Sequence, residues 1–351
     1  MRMYSQAKLI FNGRIHSVGK NYIYAAKGFK VYRSKDFGNT WKLFFSLPVS
    51  PSEKILGSNK ILRRLLRTGI HHINCINNDR IILCLKHKIF QYSIAKNQFI
   101  FSKPIMSGSR PLFLCHDNNG TAYFGQYCNN PQRTPVHIFA NTRFGEDWKI
   151  VHTFSSIRHI HGVFYDPYEN AIWATTGDRD MESAIWRTKD HFQSIEKIVS
   201  GSQQTRALQL LFTSKYVYFG SDTPLEKNYI YRLDRTTYQI EKLHPVNGSI
   251  FWGCKVNENL FFSTAVEPSK INKCNKAQLW ASPNGKIWQC ISQFQKDKLP
   301  PKLFQYGQIL FPTGENNSKY LWFTPFATTY DQKTFRLNIK KLPIYFSNSN
   351  T

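Results

Sequence analysis

One octad recurs along this chain and limits what it can fold into. Ser34-Lys35-Asp36-Phe37-Gly38-Asn39-Thr40-Trp41, spelled S-x-D-x-G-x-T-W, lies between strand-like runs at 29–32 and 41–45. The pattern reads as a β-hairpin loop. Asp36 is placed to cap backbone N–H groups of the turn, Gly38 to supply a backbone angle other residues resist, and Trp41 to cover the hairpin. Degenerate copies begin near Asn141, Thr188 and Ala281, with a weaker one near Leu233. From Asn141 onward successive starts lie about 45 to 48 residues apart, the length of one four-stranded propeller blade, and only Ser34 and its equivalent near Ser93 sit further apart, which an insertion at about 49–67 explains.

Within each period the same order of runs returns. In the fourth, Arg158-His159-Ile160-His161 is followed by Ala171-Ile172-Trp173-Ala174, then Ala184-Ile185-Trp186, then a run from Ile195. Period-two alternation rich in Tyr, Ile, Val and Trp, broken by Gly, Asn and Asp, marks strands. Seven periods fit, at about 12–48, 68–105, 109–155, 157–200, 203–246, 249–294 and 302–345. The last lacks a fourth strand, which 7–11 can supply and so close the ring. The expected fold is all-β: a seven-bladed β-propeller of four-stranded antiparallel sheets, six blades being the alternative. Residues 1–351 form one domain on this reading, with a basic insertion at 49–67.

Charge bears on partners. The chain has 47 Lys and Arg against 22 Asp and Glu, a net charge of +25 with histidines neutral. Such a field favours an acidic glycan, anionic lipid or nucleic acid, although a solvated basic surface has the same composition. No nucleic-acid motif is legible. Neither a secretory leader nor an apolar run of membrane-spanning length is legible. The seven cysteines are odd in number, scattered and without a C-x-x-C, which suits free, mostly buried thiols in the cytoplasm. In the insertion, a helix would put Lys60, Arg63, Arg64 and Arg67 opposite Ile61, Leu62, Leu65 and Leu66. Residues 60–67 could then touch an anionic membrane surface, or pack the leucines on the propeller and turn the arginines to water.

A propeller carries its ligands where the first strands of the blades and their following loops converge. Those strand tips bear Arg14 and His16, His71 and His72, Arg110, His159 and His161, Arg206, Trp252, and Gln305 with Tyr306. Cationic, imidazole or aromatic groups thus recur at equivalent places where a plain tunnel lining would offer Val, Ala or Gly. Asp178 and Asp222 follow the second strands of blades four and five at matching positions, so they can meet at one rim; each also suits turn capping.

The octad resembles the Asp-box, or BNR repeat, of sialidases and other propellers. The block His159-Ile160-His161-Gly162-Val163 with Asp166-Pro167, then Ile172 to Asp178, then Ser202-Gln203 with Arg206, is similar to sialidase-like, glycosyl-hydrolase-like propellers of bacterial surface-polysaccharide gene clusters. That resemblance implies binding or processing of an acidic glycan. A sialidase clamps the sugar carboxylate with three arginines, attacks with Tyr and protonates with Asp. Arg14, Arg110 and Arg206 match the clamp, Tyr306 the nucleophile and Asp178 the acid. The chain departs from that pattern in Arg14-Ile15-His16, where sialidases carry Arg-Ile-Pro, and in having no glutamate beside Tyr306.

A polysaccharide-lyase reading instead uses His71, His72, His159, His161 and Tyr306 around a bound uronate, with His161 catalytic. His159 and His161 share one side of a strand and offer a divalent ion two nitrogens, but without a clear third ligand no metal or other cofactor is expected. The alternative from a different class is a non-catalytic scaffold that holds polysaccharide-assembly proteins or their polymer. The ligand-binding set is then Arg14, His16, His71, His72, Arg110, His159, Arg206, Asp222 and Trp252.

Overall fold

In the computed structural model, which describes residues 6–105, 111–143, 147–314 and 316–342, the octad folds as its side chains dictate. Asp36 Oδ1 accepts from Thr40 N at 2.9 Å and Ser34 Oγ at 2.8 Å, while Oδ2 accepts from Thr40 Oγ1 at 2.7 Å. Gly38 N donates to Ser34 Oγ at 2.9 Å. Gly38 has φ +84°, and a Cβ there would meet Ile10 Cδ1 at 2.7 Å, so the position favours glycine. Trp41 Nε1 donates to Ile10 O at 3.1 Å, tying the hairpin to the N-terminal strand.

The copy at Thr188 repeats this bonding with other residues. Asp190 accepts from Thr188 Oγ1, Ser194 N and Ser194 Oγ, and Phe192 N donates to Thr188 Oγ1 at 3.0 Å. Phe192 takes the glycine's place at φ +73°. At Leu233 only part of the set survives: Asp234 Oδ1 accepts from Thr236 N and Thr237 N. Residues 144–146 of the copy at Asn141 lie outside the described residues.

The strands pair into seven four-stranded antiparallel sheets. Six run in sequence order. The seventh combines Gln308–Leu310, Tyr320–Phe326 and Lys333–Asn338 with the N-terminal strand Lys8–Asn12, as expected from the missing fourth strand. The fold is a seven-bladed β-propeller. Its residues group into two compact units, Met1–Ile70 with His244–Thr351, and His71–Leu243.

The first unit holds blades one, six and seven around Phe261, Leu279, Phe294, Leu321, Phe323 and Phe335, all 2% exposed or less. The second holds blades two to five around Tyr123, Ile138, Val163, Ile172 and Ala174. Here Arg235 Nη2 donates to the fully buried Asp166 Oδ1 at 3.0 Å, and Trp173 Nε1 donates to Asp166 Oδ2 at 3.2 Å. The buried charge is therefore paired and hydrogen-bonded, the condition for tolerating it.

The insertion forms two short helices, Pro51–Ser58 and Lys60–Leu66. Ser50 and Glu53 make a capping box on the first, and Asn59 caps the second. Of the two expected facings of the second helix, the one with leucines packed on the propeller and arginines in water does not hold. Arg64 is fully buried, its Nε donating to Phe304 O at 2.9 Å and its Nη1 pairing with Asp297. Ile61, Leu65 and Leu66 are the exposed side chains. Asp297 holds Arg64 inside and Asp331 lies 3.8 Å from the half-buried Arg63, while Lys60 and Arg67 stay exposed. All seven cysteines are free thiols, but only Cys84 is fully buried. Among the described residues no helix is long and apolar enough to cross a membrane.

Candidate functional site

Blade four supplies the centre of the best-formed polar cluster. Its first strand, Ile160–Asp166, pairs with Ala171–Thr176, and the register slips between Ile160 and Gly162. A bulge there takes His161 out of plain alternation. The rings of His159 and His161 come to lie 4.9 Å apart between centroids. After the second strand the chain turns at Gly177, φ +76°, where a Cβ would lie 2.2 Å from the carbonyl carbon and oxygen of Glu182. Glycine alone permits that turn.

The turn delivers Asp178 to the two imidazoles. Its Oδ1 is 3.3 Å from His159 Nε2 and 3.2 Å from His161 Nε2, and the two Nε2 atoms are 3.0 Å apart. Two arginines grip the same carboxylate. Arg206, just after the short turn Gln203–Thr205 of blade five, has Nη2 3.2 Å from Asp178 Oδ1 and 3.2 Å from Asp222 Oδ2. Arg158 Nη1 donates to Asp178 Oδ2 at 3.0 Å, and its Nη2 donates to Asn129 Oδ1 at 3.0 Å. Gln203 Nε2 donates to Asp178 O and Asp180 Oδ1. The Tyr127 ring lies 4.3 Å from that of His159. Glu182 holds the rear, accepting from Arg133 Nε at 2.7 Å and Arg158 N at 3.1 Å.

Burial pushes the Asp178 carboxyl up, but the two histidines and Arg206 outweigh it and hold the group well below the usual carboxylate range. Burial, ahead of the opposing pull of Asp178, holds the His161 imidazole below its ordinary value. Around neutral pH the cluster therefore presents an ionised Asp178 and a neutral His161. A carboxylate so held does not serve as a proton donor.

The expected residues are distributed as follows. His159, His161, Asp178, Arg206 and Asp222 meet, Arg206 bridging the two carboxylates. The bridge does not come from matching positions. Asp222 N bonds Arg206 O as Gly177 N bonds His159 O, so Asp222 corresponds to Gly177 and not to Asp178. His72 is buried in the same unit, its Nε2 donating to Pro111 O at 3.0 Å, a bond that fixes blade packing. His71 is half-buried next to it. Arg110 lies outside the described residues.

Arg14, His16, Trp252 and Tyr306 belong to the three-blade unit. There the Arg14 guanidinium lies 5.4 Å from the Trp252 ring, and Trp252 Nε1 donates to Gln308 Oε1 at 2.6 Å. His16 occupies the bulge of its own blade, the place His161 takes in blade four. In blade six that place belongs to Phe251, with Trp252 one residue beyond it. Tyr306 is half-buried, its ring 6.3 Å from Phe251.

The sequence reading gave no site role to Arg158, Tyr127 or Gln203, although Gln203 stands in the block with Arg206. Arg158 precedes His159, and strict alternation would turn the two apart. The strand begins only at Ile160, so Arg158 sits in a bend that alternation does not govern. Its adjacency to the histidine pair was the available signal.

No family model matches the chain, and no curated protein matches it. Solved structures do. A chain of a mitotic checkpoint complex superposes with a TM-score of 0.60 over 96% of this chain and 92% of its own, at 9% identity. A prolyl endopeptidase gives 0.59 over 95% of this chain and 49% of its own, at 9% identity. The dihydro-heme d1 dehydrogenase NirN, in complex with DHE, gives 0.54 over 93% and 64%, at 10% identity. This chain spans less than two thirds of the length of the last two. At such identities the likeness is one of fold.

Proposed function

We propose that this propeller binds an acidic glycan at the cluster around Asp178, and that it binds without hydrolysing. The observation that carries the reading is Arg158. Its guanidinium is anchored on Asp178 and Asn129, yet 37% of the side chain is exposed. An anchored, accessible guanidinium is pre-organised for a carboxylate, which it can meet through paired N–H donors. Arg206 adds a second cation beside it. The half-buried ring of Tyr127 offers an apolar face next to the charges, the combination a uronate or sialyl ring requires. The overall charge of +25 draws polyanions toward the surface.

Binding is favoured over sialidase-type hydrolysis because Asp178, the expected acid, is held ionised with Arg158 and Arg206 on its carboxylate. Membership of the sialidase-like, Asp-box group is part of the same proposal and is supported by the hydrogen bonding at Asp36 and Asp190. The test is equilibrium binding to polygalacturonate, a sialylated oligosaccharide and neutral dextran, with product assays run in parallel. The reading expects saturable binding to an acidic polymer, none to dextran, and no new reducing ends or unsaturated product. Equal binding to dextran, or turnover of any of them, contradicts it.

A further inference from the structure

The two histidines of the cluster have their ring tautomers set from behind. His159 Nδ1 lies 3.0 Å from Cys128 O, and His161 Nδ1 lies 3.3 Å from Ala207 O. A carbonyl oxygen only accepts, so each Nδ1 carries the hydrogen and each neutral ring turns its Nε2 lone pair forward. The two lone pairs face each other at 3.0 Å and face Asp178 Oδ1 at 3.3 and 3.2 Å. Arg206 Nη2 lies 3.2 Å from Asp178 Oδ1, but the two imidazole lone pairs still face each other and that oxygen, and a positive centre among the three atoms would stabilise them. One N–H among the three atoms would have to be shared between two acceptors.

We propose that His159 Nε2, His161 Nε2 and Asp178 Oδ1 form a binding site for a divalent first-row transition ion. The distances suit it. An ion about 2.1 Å from each atom would see them at angles of roughly 90° to 105°, a facial arrangement of two imidazoles and one carboxylate with other positions open. The backbone carbonyls behind both rings are the outer partners that ligating histidines use to fix ring orientation and raise basicity. Arg158 and Arg206 orient the Asp178 carboxylate, and Asp222, paired to Arg206, brings a second negative charge to offset them. Among the described residues this is the one group of three such side chains whose ligand atoms lie within 4.8 Å of one another. The site stands independently of the glycan proposal.

The experiment titrates the full chain, stripped with chelator, with Co²⁺ alone, reading d–d absorption and equilibrium dialysis, and then displaces it with Zn²⁺. One equivalent per chain is expected. His159→Ala and His161→Ala should each weaken affinity at least tenfold, and Asp178→Asn about tenfold or more, whereas His137→Ala, outside the cluster, leaves it unchanged. Circular dichroism checks that each variant is folded. X-ray absorption on the Zn²⁺-loaded wild type gives a readout free of mutation: nitrogen and oxygen ligands at about 2.0–2.1 Å support the site, and sulfur at about 2.3 Å points to cysteines instead and overturns it. No stoichiometric binding at millimolar Co²⁺, or equal affinity in folded His159→Ala and His161→Ala, also overturns it.

Discussion

Arg206 lies 3.2 Å from Asp178 and 3.2 Å from Asp222, so one guanidinium joins the loops that follow the second strands of blades four and five. Both carboxylates are largely buried; without the cation Asp222 loses its ion pair and Asp178 is left with Arg158 as its arginine partner. Arg206→Ala should lower stability by about 2 to 3 kcal/mol, as expected for removing one partner of a mostly buried charge network. Arg206→Lys should recover less than half of that, since an ammonium cannot present the planar fork that reaches two acceptors. Urea unfolding of the three proteins measures both.

Gly177 should not tolerate a side chain. Gly177→Ala puts a methyl into the Glu182 backbone at positive φ. Strain of this kind costs on the order of 1–3 kcal/mol. Because the same turn carries Asp178, Co²⁺ affinity and glycan affinity should fall together. Thermal unfolding and the two binding assays on one preparation check this.

Arg64 makes the insertion part of the folded body. Its pair with Asp297 and its bonds to Phe304 O are lost in Arg64→Ala, which leaves a carboxylate and a carbonyl short of donors. Loss of about 3 kcal/mol is expected, with a smaller loss for Arg64→Met, which restores packing along the stem. Denaturant midpoints at neutral pH compare them.

The hairpin aspartates should shape the acid limb of stability. Backbone and side-chain donation from Thr40 holds Asp36 at about 2 against an ordinary 3.8, and donation from Ser194 holds Asp190 at about 2. Their folded-state values lie below the unfolded ones, so the folded state binds fewer protons. Their contribution is fully present above about pH 4 and is lost as pH falls through 2. In Asp36→Asn/Asp190→Asn, melting temperature should be lower than wild type at pH 6 and fall less steeply between pH 4 and 2.

Much of this architecture could be read in the chain because it is carried by local rules. Asp36 with Gly38 specifies a loop, alternation around Ile172 and Tyr218 specifies strands, and the spacing of copies counts blades. The N-terminal strand was legible because the seventh period lacked a partner. The site was legible in part. His159, His161, Asp178, Arg206 and Asp222 were found because strand tips and following loops must converge. Arg158 was missed because a bend ignores strand alternation. Trp252 was set one residue off because bulges between Ile160 and Gly162, and between Ile250 and Trp252, shift the count along first strands. The facing of Arg64 depended on carboxylates more than 200 residues away in sequence, at Asp297, which no local pattern reveals.

The most direct measurement is the affinity of an acidic oligosaccharide for wild type and Arg158→Ala, by calorimetry at low salt. Arg158 is partly exposed at the edge of the cluster, so its removal should leave the propeller folded, with a modest loss of stability from the Asp178 pair. A fall in affinity of tenfold or more, in a variant that circular dichroism shows to be folded, is the predicted result. Equal affinity in the two proteins would place the ligand elsewhere and contradict the account.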